Sequence, residues 1–353
     1  APGNFDDDDG AGVDPGGPGG GLNAGKTSRR PLLSLLDELG DVSLIAAWIR
    51  GVLAKDASID PGKTLGDVCE QYGWAMFQKE LLKLFEETPH QTLERQARLL
   101  ADWSSRKDKS KSDDRVKLCA QLAERIMSAV ERWNPSRVKR DWMTRPVNPG
   151  ELLPSLTQAF LTLEKADLFE RLVAYVLDRP KDFDLTTVQV PVLLGMTGWL
   201  KRNVKQPSPP LDHWLKAVAA ELESRAANPP REPGDWRRQS ATGCKCADCK
   251  VLSRFLNDPG EQTFRLPLVE SRRRHLHQTI DDKQLDTTHV TERRGRPYTL
   301  VLTKTKASYE RSLKAHHLDL DQLAKIQKLL DWHGGLKAAP ARPKAHRGKQ
   351  EKR

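Results

Sequence analysis

Apolar residues recur at helical spacing between residues 30 and 227. Three windows, 41–53, 73–85 and 165–177, each carry apolar side chains at their fourth, fifth, ninth, twelfth and thirteenth positions. These spacings place the side chains on one broad face of a helix. Further helices are predicted at 65–72, 91–105, 113–133, 152–163, 188–201 and 211–225. Successive, weakly similar helices are typical of an α-solenoid, with an irregular bundle as the alternative, so we predict a mainly α fold with an α-solenoid-like helical repeat region over residues 30–227.

The segments that flank this region differ from it in composition. Residues 1–29 are rich in Gly, Asp and Pro and lack the apolar side chains that a core needs, which predicts a disordered linker. Three prolines near the start of residues 228–240 predict a second linker. Residues 335–353 are basic and rich in Pro and Ala, and we predict a disordered tail there.

A small α+β module is predicted between the second linker and the tail, over residues 241–334. Alternating residues predict a strand at 263–269 and a hairpin at 289–304. Helical spacing predicts helices at 271–280 and 306–330.

Composition excludes several classes of protein. No apolar stretch approaches the ~20 residues that a membrane span needs, and the N-terminal residues lack the basic and apolar segments of a signal peptide. The sparse cysteines are not the dispersed framework of a secreted protein, so we expect an intracellular location, nuclear or cytoplasmic. Gly20, Gly25, Lys26 and Thr27 match a phosphate-loop spacing, but no strand precedes them. We therefore expect neither a membrane nor a nucleotide among the partners.

Basic residues are concentrated in the last third of the chain. The formal net charge is +10, yet residues 231–353 hold 27 Lys and Arg against 15 Asp and Glu, and the remainder is slightly acidic. Such an excess attracts polyanions, so we predict a protein or nucleic-acid partner for this third. The candidate contact residues are Arg272, Arg273, Arg274, Arg293, Arg294 and Arg296. Residues 294–297, Arg-Gly-Arg-Pro, also form the core of an AT-hook, but flanking strand patterns favour a turn.

Three cysteines lie within six residues and predict a metal site. Zinc prefers four tetrahedral nitrogen or sulfur ligands, so three thiolates need one further donor. The candidate ligands are Cys244, Cys246, Cys249, His275 and His277, with His289 as a third histidine. Residues two apart on a helix point about 200° apart, so only one of His275 and His277 can face the metal there, whereas a strand would place both on one face. We predict structural zinc, because three Cys and one His fill every ligand position.

This part of the chain resembles the C-terminal region of certain large eukaryotic multidomain proteins. The resemblance rests on Cys244-x-Cys246-x-x-Cys249, on Arg274-His275-Leu276, and on Thr291-Glu292-Arg293-Arg294-Gly295-x-Pro297-x-Thr299-Leu300-Val301-x-Thr303-Lys304. In several such proteins a helical region precedes this segment, and a 2-oxoglutarate/Fe(II) dioxygenase-type domain lies far upstream. The resemblance therefore implies that any catalytic domain lies outside this chain.

The chain itself offers no iron site of that kind. His317 and Asp319 give the His-x-Asp pair of a facial triad, but on a predicted helix and without the strands of a sandwich. We find no catalytic site and predict a non-catalytic interaction scaffold with a structural zinc module and a basic surface. The alternative is the docking portion of a dioxygenase-type protein, so whether the parent protein is an enzyme stays open. The reading frame upstream of Ala1 would decide between these two hypotheses.

Overall fold

The computed structural model describes residues 39–53, 64–86, 92–106, 113–135, 146–239 and 242–336. Within these residues the chain forms twelve α-helices and one three-stranded antiparallel sheet near the C-terminus. The prediction of a mainly α chain with a small C-terminal sheet is therefore confirmed. The predicted disordered segment, the phosphate-loop pattern and all but the first two residues of the predicted tail lie outside the described residues.

The chain divides into two compact units, Ala1–Val130 and Glu131–Arg353. The first unit contains α1 (Val42–Trp48), α2 (Thr64–Tyr72), α3 (Gln78–Glu86), α4 (Leu93–Ser105) and all but the last two residues of α5 (Asp114–Arg132). Its core includes Trp103, whose ring meets Trp74 edge-on with 5.5 Å between centroids. Buried Arg115 donates to the Trp103 carbonyl at 2.6 Å, which satisfies a carbonyl at the C-terminal end of α4.

The apolar face of the first two repeated windows is narrower than the sequence predicted. In the first two windows Ile45 and Phe77 are fully buried, whereas their neighbours Leu44 and Met76 are 43% and 58% exposed. Adjacent helical residues point about 100° apart, so a core on one side of these helices buries only one of the two, whereas in the third window both residues of the pair are buried. Both windows also depart from a regular α-helix, through a π-helical turn and a 3-10 turn. The helices are present, and their stacking as a solenoid stays a prediction.

In its described residues the second unit holds seven α-helices and the three strands of the α+β module. Its elements are α6 (Pro149–Thr162), α7 (Ala166–Leu177), α8 (Val190–Asn203), α9 (Pro209–Ala226), α10 (Ala247–Asn257), β1 (Thr263–Pro267), α11 (Glu270–Asp282), β2 (Thr287–Glu292), β3 (Thr299–Lys304) and α12 (Ala307–Gly334). The sequence pattern assigned α12 to the module, but the structure packs it along α9 and α8. Among the helices that the structure describes, none combines the length and apolarity that a membrane span requires.

The α+β module is built around its central strand. The strand order is β1-β3-β2, and the alternate residues Leu300 and Leu302 of β3 are fully buried. They pack with apolar residues of α10 and α11 in a single core that also contains Cys249. Part of the predicted linker belongs to this module, because the backbone N–H of Arg238 donates to the carbonyl of Leu256 at 2.7 Å.

A buried histidine ties α12 to the start of α9. His333 is 2% exposed, and its Nε2 accepts a hydrogen bond of 2.9 Å from the backbone N–H of Ser208. Burial lowers the pKa of His333, since a charged imidazole would lose its hydration there; Asp212 opposes this shift and Lys216 adds to it. Folding therefore favours the neutral ring.

We expect His333 to make the second unit less stable in mild acid. The folded pKa lies below the unfolded value, near 6.5, so this histidine costs no stability above that pH and destabilises the fold as the pH falls below it. The loss of unfolding free energy between pH 7.5 and 5.5 is at most about 1.4 kcal/mol, which is the free energy that corresponds to one pKa unit. Urea unfolding at both pH values should show a smaller pH dependence in His333→Gln. An unchanged dependence in His333→Gln, or an equal reduction in the control His213→Gln at an exposed position, would contradict this assignment.

Candidate metal centre

The three clustered cysteines lie at the N-terminal end of α10. Cys246 is the N-cap of the helix, and its Sγ accepts a hydrogen bond of 3.4 Å from the backbone N–H of Cys249. Cys244 lies in the preceding turn, where the Thr242 hydroxyl donates to its carbonyl at 3.2 Å. This turn passes through Gly243, whose φ of +73° is a left-handed conformation that favours glycine. The capped helix start and the turn direct the three thiols to one place.

The fourth donor comes from α11. The Nε2 of His275 lies 3.5 Å from the Sγ of Cys246 and 3.3 Å from that of Cys249. The ligand atoms of Cys244, Cys246, Cys249 and His275 all lie within 4.8 Å of one another, and the cysteines form no disulfide. In a tetrahedron with a metal–sulfur bond of 2.3 Å and a metal–nitrogen bond near 2.05 Å, the sulfur–nitrogen edge is about 3.6 Å. The four residues are therefore close enough to bind a metal ion.

The thiols of this cluster differ in environment. Cys246 is exposed, and the hydrogen bond from the backbone N–H of Cys249 lowers the pKa of its thiol to about 7. Cys249 is fully buried against the core of the module, and this burial raises the pKa of its thiol to about 12. A metal ion bound here displaces the Cys249 proton, because only thiolate sulfur serves as a metal ligand.

An ion pair fixes the two helices that supply the donors. Asp248 is 8% exposed, and Arg272 donates to both of its carboxylate oxygens, with 2.8 Å between Nε and Oδ2. These hydrogen bonds lower the pKa of Asp248. The pair joins α10 to α11 directly beside Cys249 and His275, and such two-pronged contacts orient a site. Sequence reasoning missed it, although Asp248 lies inside the cysteine motif and Arg272 one helical turn before His275.

His277 lies outside the cluster, although the sequence placed it among the candidate ligands. Its ring meets that of His289 with 4.4 Å between centroids, and its Nε2 lies 3.2 Å from the hydroxyl of Thr291 on β2. Burial, together with His289, lowers the pKa of His277. The helical geometry of α11 separates the two histidines, as expected for residues two apart. His289 also contacts Asp281 at 3.0 Å and does not join the cluster.

The six arginines proposed for polyanion binding have different surroundings. Arg273 is 8% exposed and donates to the carbonyls of Leu268 and Tyr298, whereas Arg272 holds Asp248. Arg274 is exposed and pairs with Glu270 at 3.3 Å, one turn away on the same helix. The remaining three, Arg293, Arg294 and Arg296, are exposed in the segment between β2 and β3.

Comparison with known proteins gives no relative for this chain. No protein-family profile, no curated protein and no solved structure matches it. Within the described residues, the Cys3His cluster is the one group of three or more His, Cys, Asp or Glu donors close enough together to hold a metal ion. His317 and Asp319 lie on α12 and are not part of such a group.

Proposed function

We propose that this chain is a non-catalytic interaction scaffold whose C-terminal α+β module is held together by a structural zinc ion. The observation that carries the proposal is the convergence of Cys244, Cys246, Cys249 and His275. A donor set of three thiolates and one imidazole binds zinc in preference to harder divalent ions. The resemblance to larger multidomain proteins agrees with a role in binding a partner.

The donor set supports a structural role for the metal. Catalytic zinc sites use three protein ligands and keep the fourth position for water or substrate, whereas Cys3His supplies all four from the chain. The donors also connect separate elements, since the cysteines flank the start of α10 and His275 lies on α11. The ion therefore joins two helices of a small module, in which metal binding adds directly to folding free energy.

The basic C-terminal third supports an interaction role. Its arginines divide into those with internal partners and those exposed to solvent, so the charge available to a partner is smaller than the sequence count suggests. The partner we propose is a protein or a nucleic acid that meets this third of the chain.

Metal analysis tests the proposed centre. We expect the purified chain to hold one zinc ion, with X-ray absorption showing three sulfur ligands at about 2.3 Å and one nitrogen at about 2.0–2.1 Å. His275→Ala should lower zinc affinity at least ~100-fold, beyond the loss typical of residues that only support a ligand. His277→Ala, the matched control two residues away, should keep the metal. A shell containing water or a second nitrogen, or equal effects of the two variants, would refute the structural Cys3His assignment.

A further inference from the structure

The segment between β2 and β3 presents unpaired positive charge at a fixed position. We name residues 293–298, Arg-Arg-Gly-Arg-Pro-Tyr, the arginine loop. Arg293, Arg294 and Arg296 are exposed, and none has an acidic or carbonyl partner among the described residues. The loop contains no acidic residue. Three guanidinium groups within four residues are therefore available to a ligand.

The acidic residue next to the loop in the sequence is already paired. Glu292 ends β2 immediately before the loop, and Arg265 of β1 donates to its carboxylate across the sheet. This pair removes the carboxylate that could otherwise neutralise Arg293 or Arg294. The loop consequently keeps its full charge of three.

The base of the loop is held in place by the rest of the module. Glu292 pairs with Thr299 in the ladder between β2 and β3. The carbonyl of Tyr298 accepts a hydrogen bond of 3.1 Å from the backbone N–H of Leu268. Buried Arg273 also donates to that carbonyl, at 3.4 Å. Gly295 adopts a φ of +75°, which turns the chain at the tip. Arg273 thus supports the loop from inside and is not a contact residue itself.

We propose that the arginine loop contacts the sugar-phosphate backbone of duplex nucleic acid, an inference that rests on the interaction function proposed above. Guanidinium groups match phosphate oxygens in a two-pronged geometry. Arg293, Arg294 and Arg296 lie within four residues that turn at Gly295, so their guanidinium groups are presented together. Each guanidinium group can contact one phosphate, so the loop offers contacts to at most three phosphates of a duplex.

Duplex nucleic acid fits this loop better than the other polyanions. Single strands are bound by exposed aromatic rings that stack with bases, whereas the one aromatic ring of the arginine loop, Tyr298, is partly buried, with the guanidinium group of Arg273 5.2 Å from its centroid. Phe264 of β1 instead stacks on Phe255, with 5.3 Å between centroids. A flexible acidic peptide would lose conformational entropy on binding, whereas a duplex presents a charge array that is already ordered.

Salt-dependent binding of the full chain tests the inference. The loop variant carries Arg293→Gln, Arg294→Gln and Arg296→Gln, and fluorescence anisotropy follows a duplex of about 20 base pairs, as DNA and as RNA. We expect this variant to bind at least ~10-fold more weakly near 0.1 M salt. The slope of log Kd against log salt should fall by about 2.7 for B-DNA, which is 0.9 for each lost phosphate contact.

A matched control separates the loop from net charge. Arg231→Gln, Arg237→Gln and Arg254→Gln remove the same charge from three exposed arginines of the second unit outside the loop, and should weaken binding less than about 3-fold. Equal effects of the two triple variants, or failure of the original chain to bind either duplex, would overturn the proposal. If poly-glutamate of equal total charge competed as effectively as unlabelled duplex, the proposal would be overturned as well.

Metal content and thermal unfolding, recorded for every chain, distinguish this inference from the proposed function. If the original chain keeps its zinc and its fold but does not bind duplex, only the proposed duplex contact is overturned. If the original chain purifies without zinc and is nevertheless folded, the proposed structural zinc is overturned, whatever the chain binds.

Discussion

Cys249→Ser is expected to abolish zinc binding and to unfold the C-terminal α+β module. Cys249 is fully buried, contacts the module's core and lies within 3.3 Å of His275. The apparent binding free energy of structural zinc is about 10–16 kcal/mol at neutral pH, as large as the total stability of most domains. Hydrogen exchange should show loss of protection across α10 and α11, and a chelator added to the original chain should produce the same change.

The control for this experiment is a second buried thiol. Cys119 of the first unit is also fully buried, but it has no place in the metal cluster. Cys119→Ser should retain one zinc ion and normal exchange in α10 and α11, with a stability loss of about 1–3 kcal/mol from an added buried hydroxyl. If Cys249→Ser kept its zinc and its protected amides, the proposed structural role of the metal would be wrong.

Trp214→Ala is expected to destabilise the second unit by about 3–5 kcal/mol, the usual cost of removing a large aromatic side chain from a core. Trp214 is fully buried on α9, the helix that packs against α7 and α12. Its Nε1 donates to Oε1 of Gln189 at 3.0 Å, and Gln189 in turn donates to the carbonyl of Phe183. The substitution therefore leaves a cavity and an unpaired amide oxygen. Urea unfolding of the full chain, followed by a probe in the second unit, measures the loss.

Trp199→Ala provides the comparison for Trp214. Trp199 lies on the neighbouring helix α8 but is only half-buried, so less apolar surface returns to water when it is removed. We expect less than half the loss of stability found for Trp214→Ala. Equal losses in the two variants would show that the core around α9 does not depend on the packing described here.

The helices were predictable because their information is local. The final helix illustrates both the extent and the limit of such a prediction: the pattern at 306–330 corresponds to α12, which the structure extends over Ala307–Gly334. Spacing alone could not choose its packing partner. Its three buried residues, Ile326, Leu329 and His333, all lie near its C-terminal end, and it packs along α8 and α9 rather than on the sheet. Packing depends on which elements lie nearby, and helical periodicity does not encode that.

The metal centre was predictable in part for the same reason. Three cysteines within six residues stay close together in any fold, so their spacing alone predicted that Cys244, Cys246 and Cys249 share one metal site. The fourth donor lies 26 residues after Cys249, and helical geometry established only that His275 and His277 could not both face the cluster. The packing of α11 against α10 selects His275.

The charge pattern shows the largest difference between sequence and structure. By itself the sequence determined the positions of most helices, the three clustered thiols and the basic character of the last third. The tertiary structure alone decided which arginines are available, because their partners are distant in sequence: Arg272 meets Asp248, and Arg273 meets the carbonyl of Tyr298. Contacts between residues more than twenty positions apart depend on how the elements pack, whereas periodicity and short spacings act within a single turn or helix.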